Sequence, residues 1–321
     1  MNKRERVKNA MDGLPVDHVP VAFWFHFKGD EAVGEGNIAA HLKYYRETDL
    51  DFVKIMCDGF FNYPCDTEVL EAADFRKVPV LSKDHPYIAD QVYRAKKIVE
   101  AIGEERMVFY NVFAPFSAIR FEFGDDFVME ALKEDPEAVL TALDRIAETQ
   151  SVLSELLIEE AGIDGIYFPV QGGEWDRFTE EEYKKLIAPS ELKVLSRANR
   201  VSDYNIMHCC GFAGAKNNLS LWADYPVKCV NWAVHVEEFP LADGRELFGH
   251  KACLGGFKTL WDEKHREGII YHGTKEELQA YTKGIIDTFG KKGLLLGGDC
   301  TVDAAIPWEQ IKWVVEAARL V

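Results

Sequence analysis

His208 and Cys210, in the run Met207-His208-Cys209-Cys210-Gly211, are residue types that hold metal ions. On a β-strand, side chains two apart point to the same face, so an imidazole and a thiolate at i and i+2 can grip one ion while Cys209 faces away. Cys300, in Gly297-Gly298-Asp299-Cys300-Thr301, would add a third ligand. Two thiolates and an imidazole suit Zn²⁺, and three protein ligands leave a fourth position open for substrate, the pattern of a catalytic rather than a structural site. Alone, the His-x-Cys pair carries little weight, because such pairs are common and most free cysteines are buried packing residues. The set has force only if the fold brings Cys300 beside the strand that carries His208.

Composition bounds what that fold can be. A chain of 321 residues, 47% hydrophobic, can bury a large core. With 37 basic and 54 acidic side chains the net charge is −17, which argues against a nucleic-acid partner, since a phosphate backbone needs a basic face. The charged N-terminus, Met1-Asn2-Lys3-Arg4-Glu5-Arg6-Val7, lacks the apolar run of a signal peptide, and no segment approaches the roughly 18 apolar residues of a membrane span. A cytoplasmic protein without a membrane partner is expected. Its seven scattered cysteines suit reduced thiols and metal chemistry better than a disulfide framework.

Short apolar, β-branched runs bounded by turn residues predict eight strands, over 19–26, 52–56, 107–113, 165–170, 204–210, 227–234, 251–257 and 293–298. Each is nearly continuous in apolar character, as parallel strands buried on both faces should be. Between them the pattern turns helical. Asp135 and Pro136 open a helix over 135–161, Thr179 opens one over 179–198, Thr274 opens one over 274–289, and 308–320 closes the chain.

Eight β/α units at this length predict a single TIM (β/α)8 barrel, one domain over 1–321, with an N-terminal helical extension over 3–11. An open doubly wound sheet is the second choice, lowered by the absence of a Gly-x-Gly-x-x-Gly after an early strand. In a barrel the active site lies where strands end at the C-terminal face, so strands five and eight would deliver His208, Cys210 and Cys300 to one rim.

Other residues expected at that rim, as substrate contacts, are His26, Asp58, Asn111, Gln171 and Asn231, and Glu174 or His235 could fill the fourth position on zinc. Each has an ordinary competing explanation. Asn111 and Asn231 would equally satisfy buried backbone groups, Asp58 and Glu174 would be solvated loop acids, and His26 a packed neighbour of aromatics. Phe60, Phe61 and Tyr63, past Asp58-Gly59, are expected to line a pocket.

The chain resembles the uroporphyrinogen decarboxylase family over nearly its whole length. Arg4-Glu5-Arg6-Val7 with Gly13-Leu14-Pro15-Val16-Asp17-His18-Val19-Pro20-Val21 is similar to the family's opening helix and first strand. Glu134-Asp135-Pro136-Glu137 and Glu180-Glu181-Glu182-Tyr183 resemble its middle helices, and Gly298-Asp299-Cys300 with Pro307-Trp308-Glu309-Gln310-Ile311 its last strand and closing helix. That resemblance implies a TIM barrel and one of two chemistries: cofactor-free decarboxylation of a tetrapyrrole, or methyl transfer between a corrinoid and a thiol at zinc. Decarboxylases of the family carry arginines after the first strand, where this chain has Phe23-Trp24-Phe25-His26-Phe27-Lys28-Gly29. The methyltransferase branch carries His-x-Cys late in the barrel and a cysteine near the last strand, where His208, Cys210 and Cys300 stand.

The resemblance therefore implies a zinc-dependent methyltransferase whose co-substrate is a methylcobamide on a partner corrinoid protein and whose other substrate is a small thiol or similar acceptor. Decarboxylation is the alternative, and a non-catalytic module that docks a corrinoid carrier is a third class. The loop over 258–267 is expected to be a lid or partner surface, against the plainer reading of a solvated charged insertion.

Overall fold

The computed structural model describes residues 1–259 and 266–321; the core of the expected lid loop, 260–265, lies outside the described residues. Among the described residues seven parallel strands form one curled sheet in sequence order: β1 (Phe52–Ile55), β2 (Met107–Asn111), β3 (Gly165–Val170), β4 (Ile206–Cys209), β5 (Cys229–Trp232), β6 (Ala252–Phe257) and β7 (Leu294–Gly298). Strict sequence order with parallel pairing requires a crossover between each pair of strands, and helices supply most of them.

The first expected strand, over 19–26, is reduced to a single parallel bridge between Val21 and Leu296. Its backbone groups are spoken for elsewhere. Pro20 has no N–H to donate, the Val21 N–H donates to the Asp51 carboxylate at 2.8 Å, and the Phe23 carbonyl accepts from the Tyr44 hydroxyl. The segment still lies between the sheet's two ends: the Ala22 N–H donates to Leu296, Leu296 donates to Pro20, and Asp51, beside β1, donates to the Val21 carbonyl.

Alternation along the strands sorts side chains into two cores. One set, including Val53, Val108, Phe168, Met207, Cys209, Val230 and Leu296, packs outward against helices. The other, including Trp24, Phe52, Phe109, Tyr167, Ile206, Cys229, Leu254 and Leu295, packs inward on itself and on Val7, Ala10 and Met11 of the N-terminal helix Lys3–Met11. That helix is fastened by charge. Arg6 Nη1 reaches buried Asp51 at 2.8 Å and its other guanidinium nitrogens reach Asp17, while Arg4 pairs with Asp164.

The helix expected over 179–198 is two helices, Glu180–Leu186 and Ala188–Asn199. Pro189 lacks an N–H and its ring would collide with the carbonyl four residues back, which ends the first helix there. Thr179 caps the first with a reciprocal bond to Glu182, and Asp135 caps the long helix Pro136–Glu159 through the Ala138 N–H. No helix among the described residues is long and apolar enough to cross a membrane.

Candidate metal centre and its cavity

On β4 the inward positions are Ile206 and His208, and the step after the strand brings Cys210 to the same side, its N–H bonded to the Val170 carbonyl at 3.0 Å. Cys300 follows β7 by two residues and is held by Thr259, whose hydroxyl accepts from the Cys300 N–H at 3.0 Å. Two glycines make these turns possible. A Cβ on Gly211 would lie 2.2 Å from the Ala215 carbonyl, and one on Gly298 would lie 2.6 Å from that of Cys300.

One ligand atom each from His208, Cys210 and Cys300 lies within 4.8 Å of the others. His208 is 3% exposed, yet among the described residues neither of its ring nitrogens makes a hydrogen bond, the Cys300 thiol being the group it acts on. An imidazole buried with both nitrogens unsatisfied is costly unless something else occupies one of them. Its plane is fixed by stacking on Tyr167, 5.6 Å between centroids, and the Tyr167 hydroxyl donates to Asn231. Cys300 is held well below the usual thiol range, first by the Cys210 thiol beside it and then by His208, while Cys210 rises in response. Two sulfurs that share a thiolate beside an orphaned imidazole form a donor set that fits Zn²⁺.

The three residues lie on the wall of a cavity of about 450 Å³. Of the expected substrate contacts, His26, Asn111 and Gln171 line it; Gln171 Nε2 is 3.7 Å from the Cys210 sulfur. Asp58 stands behind His26, its carboxylate 2.8 Å from Nδ1. Asn231 is turned into the wall, where its amide donates to the carbonyls of Leu254 and Gly298. Glu174 is engaged by Arg120 and Arg177, and His235 by Asp299 and Tyr281, so neither joins the three-residue cluster.

Of the expected aromatic lining, Phe61 faces the cavity, Phe60 lies under the Arg94 guanidinium, and Tyr63 is buried with its hydroxyl on Thr149. Phe113 and Phe121 complete a wall with Phe61, with ring centroids 4.8 to 6.0 Å apart. Phe212 lines the cavity with Arg120 stacked on it at 3.9 Å.

Lys54 was not among the expected residues, and it is the one cation of the described lining. It lies 3.7 Å from the centroid of Tyr167 and 4.7 Å from that of Trp24, 3% exposed, and burial holds its ammonium down to about 7. A lysine inside the apolar run Phe52-Val53-Lys54-Ile55 is the signal that was present: a charge on the inward face of a buried strand has to meet something there.

A family model described as Uroporphyrinogen decarboxylase (URO-D) matches residues 64–321. Among solved structures, a methyltransferase from Methanosarcina mazei is 17% identical with a TM-score of 0.78, over 99% of this chain and 98% of that one. A B12-independent methionine synthase from Shewanella sp. W3-18-1, in complex with selenomethionine, is 14% identical with a TM-score of 0.62, over 94% and 97%. At these identities the likeness is one of fold. No curated protein matches the chain.

Proposed function

Because the chain belongs to the uroporphyrinogen decarboxylase family, we propose that it is a zinc-dependent methyltransferase, acting as a single domain, that moves a methyl group from a corrinoid on a partner protein to a small thiol. The observation that carries this reading is the buried His208 imidazole, without a hydrogen bond among the described residues and within reach of the Cys210 and Cys300 sulfurs. His208, Cys210 and Cys300 would hold zinc, which when bound keeps a substrate sulfur as its nucleophilic thiolate at neutral pH.

The protein's own groups do the rest. Trp24, Phe61, Phe113 and Phe121 line the cavity with apolar rings that exclude water. Gln171 and Asn111 offer amides to the acceptor, and the Lys54 ammonium offsets the negative charge that collects where three sulfurs meet. A cavity of about 450 Å³ takes a small thiol and leaves a corrinoid macrocycle at the mouth, so the methyl donor arrives from outside. Tetrapyrrole decarboxylation fits less well, since no arginine is among the described lining residues.

Two measurements test the reading. Purified protein should carry near one zinc per chain, and a single turnover with methylcobalamin and a panel of small thiols should give a methyl thioether. Folded protein without zinc, or zinc-loaded protein that transfers methyl to none of the thiols, would remove it.

A further inference from the structure

Besides the sulfur and imidazole cluster, the cavity wall holds a second polar arrangement, His26 with Asp58 behind it. His26 lies two residues past Trp24, on the same side of the extended segment, and its ring lines the cavity against Phe61. Asp58 is 2% exposed. One of its oxygens accepts from the Phe27 N–H at 2.9 Å and the other is 2.8 Å from His26 Nδ1. An ionised carboxylate can only accept, so Nδ1 carries the hydrogen and Nε2 keeps its lone pair.

Among the described residues no hydrogen bond is made by Nε2, and the side chain is 34% exposed. The carboxylate is itself fixed: Arg94 Nη1 donates to the Met56 and Asp58 carbonyls at 3.0 Å each, which pins the turn. Such a ring, held in one tautomer by a buried acid and open at the other nitrogen, is the arrangement of a general base. Around Asp58, Lys54 and Arg94 are the neighbouring cations, and His41, whose Nε2 accepts from the Met56 N–H, is held neutral by burial, down to about 4.

We propose that His26 Nε2 is the proton acceptor of the reaction, directly or through one water, and that Asp58 is its positioning residue; the proposal rests on the thiol-methylation reading. In the first step the S–H bond of the acceptor breaks, its proton goes to Nε2, and its electron pair stays on sulfur. That sulfur then bonds to the methyl carbon, while the bond from methyl to the corrinoid donor breaks and its pair stays with the donor. Asp58 stabilises the imidazolium, which returns its proton to water through the exposed part of the ring.

The test uses zinc-loaded full-length protein with 2-mercaptoethanol and methylcobalamin. Titrating the thiol calorimetrically in buffers of different ionisation enthalpy counts the protons released, and needs no methyl donor. His26→Gln should release about one proton per thiol to the buffer at neutral pH, and the unaltered protein clearly less. In turnover, His26→Gln should lose the acid limb of the kcat/KM profile and about 10²–10⁴-fold of its plateau. Imidazole should partly rescue His26→Ala, and Asp58→Asn should move the acid limb to lower pH, because removing the carboxylate disfavours the imidazolium.

Equal proton counts, an unchanged acid limb, or loss of zinc in His26→Gln with retained circular dichroism would each overturn the assignment. The last would mean that the ring merely supports the cluster. Failure of the underlying reading looks different: the unaltered protein itself would hold no zinc or transfer no methyl group.

Discussion

The same strands build two unlike ends, and one step of the pleat separates them. At the closed end the inward side chains are Phe52, Phe109, Ile206, Cys229 and Leu295, sealed by Val7, Ala10 and Met11. Two residues further along the same strands stand Lys54, Asn111, His208, Asn231 and Gly297. Apolar filler thus gives way to an ammonium, two amides, an imidazole of metal-ligating type and a glycine. The first layer tolerates nothing polar because it has no partners to offer, whereas the second tolerates polarity only because each group finds a ring, a carbonyl or a cavity. The difference places apolar packing at one end of the sheet and the candidate site at the other.

The largest expected effect comes from breaking the open end alone. Cys300→Ser should lower bound zinc from near one per chain to near none, measured by metal analysis after gel filtration, while far-UV circular dichroism stays that of the unaltered protein. The reciprocal change is Phe109→Ala at the closed end, a fully buried ring in contact with Phe52. It should cost about 3–5 kcal/mol in urea unfolding yet leave zinc per folded chain unchanged. Zinc loss from Phe109→Ala well below its unfolding midpoint would show that the two ends are not separable.

Lys54 sharpens the comparison because it puts a charge one step above the apolar layer. Burial lowers its ammonium from 10.5 to about 7, so between those values the folded chain binds fewer protons than the unfolded one. Stability then rises with pH across that window, and the cost of burying the charge is fully present below about 7. Lys54→Met should therefore stabilise the metal-free protein at pH near 6, by roughly 1–4 kcal/mol, with the gain shrinking towards pH 10. Urea midpoints for both proteins at several pH values would check this, and a gain that does not fall with pH would sink it.

Strand alternation makes the phase of β4 legible in the sequence: His208 and Cys210 share a side and Cys209 does not. The helices Lys3–Met11 and Trp308–Leu320 and the strand Gly165–Val170 were legible to the residue. What was illegible depends on partners distant in sequence. The loss of a regular first strand turns on the Asp51 carboxylate taking the Val21 N–H, and no periodicity reports that competition. Phe113 and Phe121 join Phe61 across three segments, which a scan along the chain cannot bring together. Pro189 divides the helix expected over 179–198, because one missing N–H suffices although the helical pattern continues on both sides of it.

Cys209 sets the two faces of a single strand against each other at the smallest cost. Its side chain packs in the outer core, fully buried, and burial holds its thiol well above the ordinary range, so it stays protonated at neutral pH. A protonated, outward thiol can neither ligate zinc nor react readily. Cys209→Ala should therefore cost only about 1 kcal/mol of stability, keep zinc near one per chain and leave methyl transfer intact. In the folded, metal-free protein iodoacetamide should label Cys300 well before Cys209, since the thiolate is the reacting form. Zinc loss from Cys209→Ala, with Cys210→Ala keeping its zinc, would mean that the strand presents its other face to the cavity.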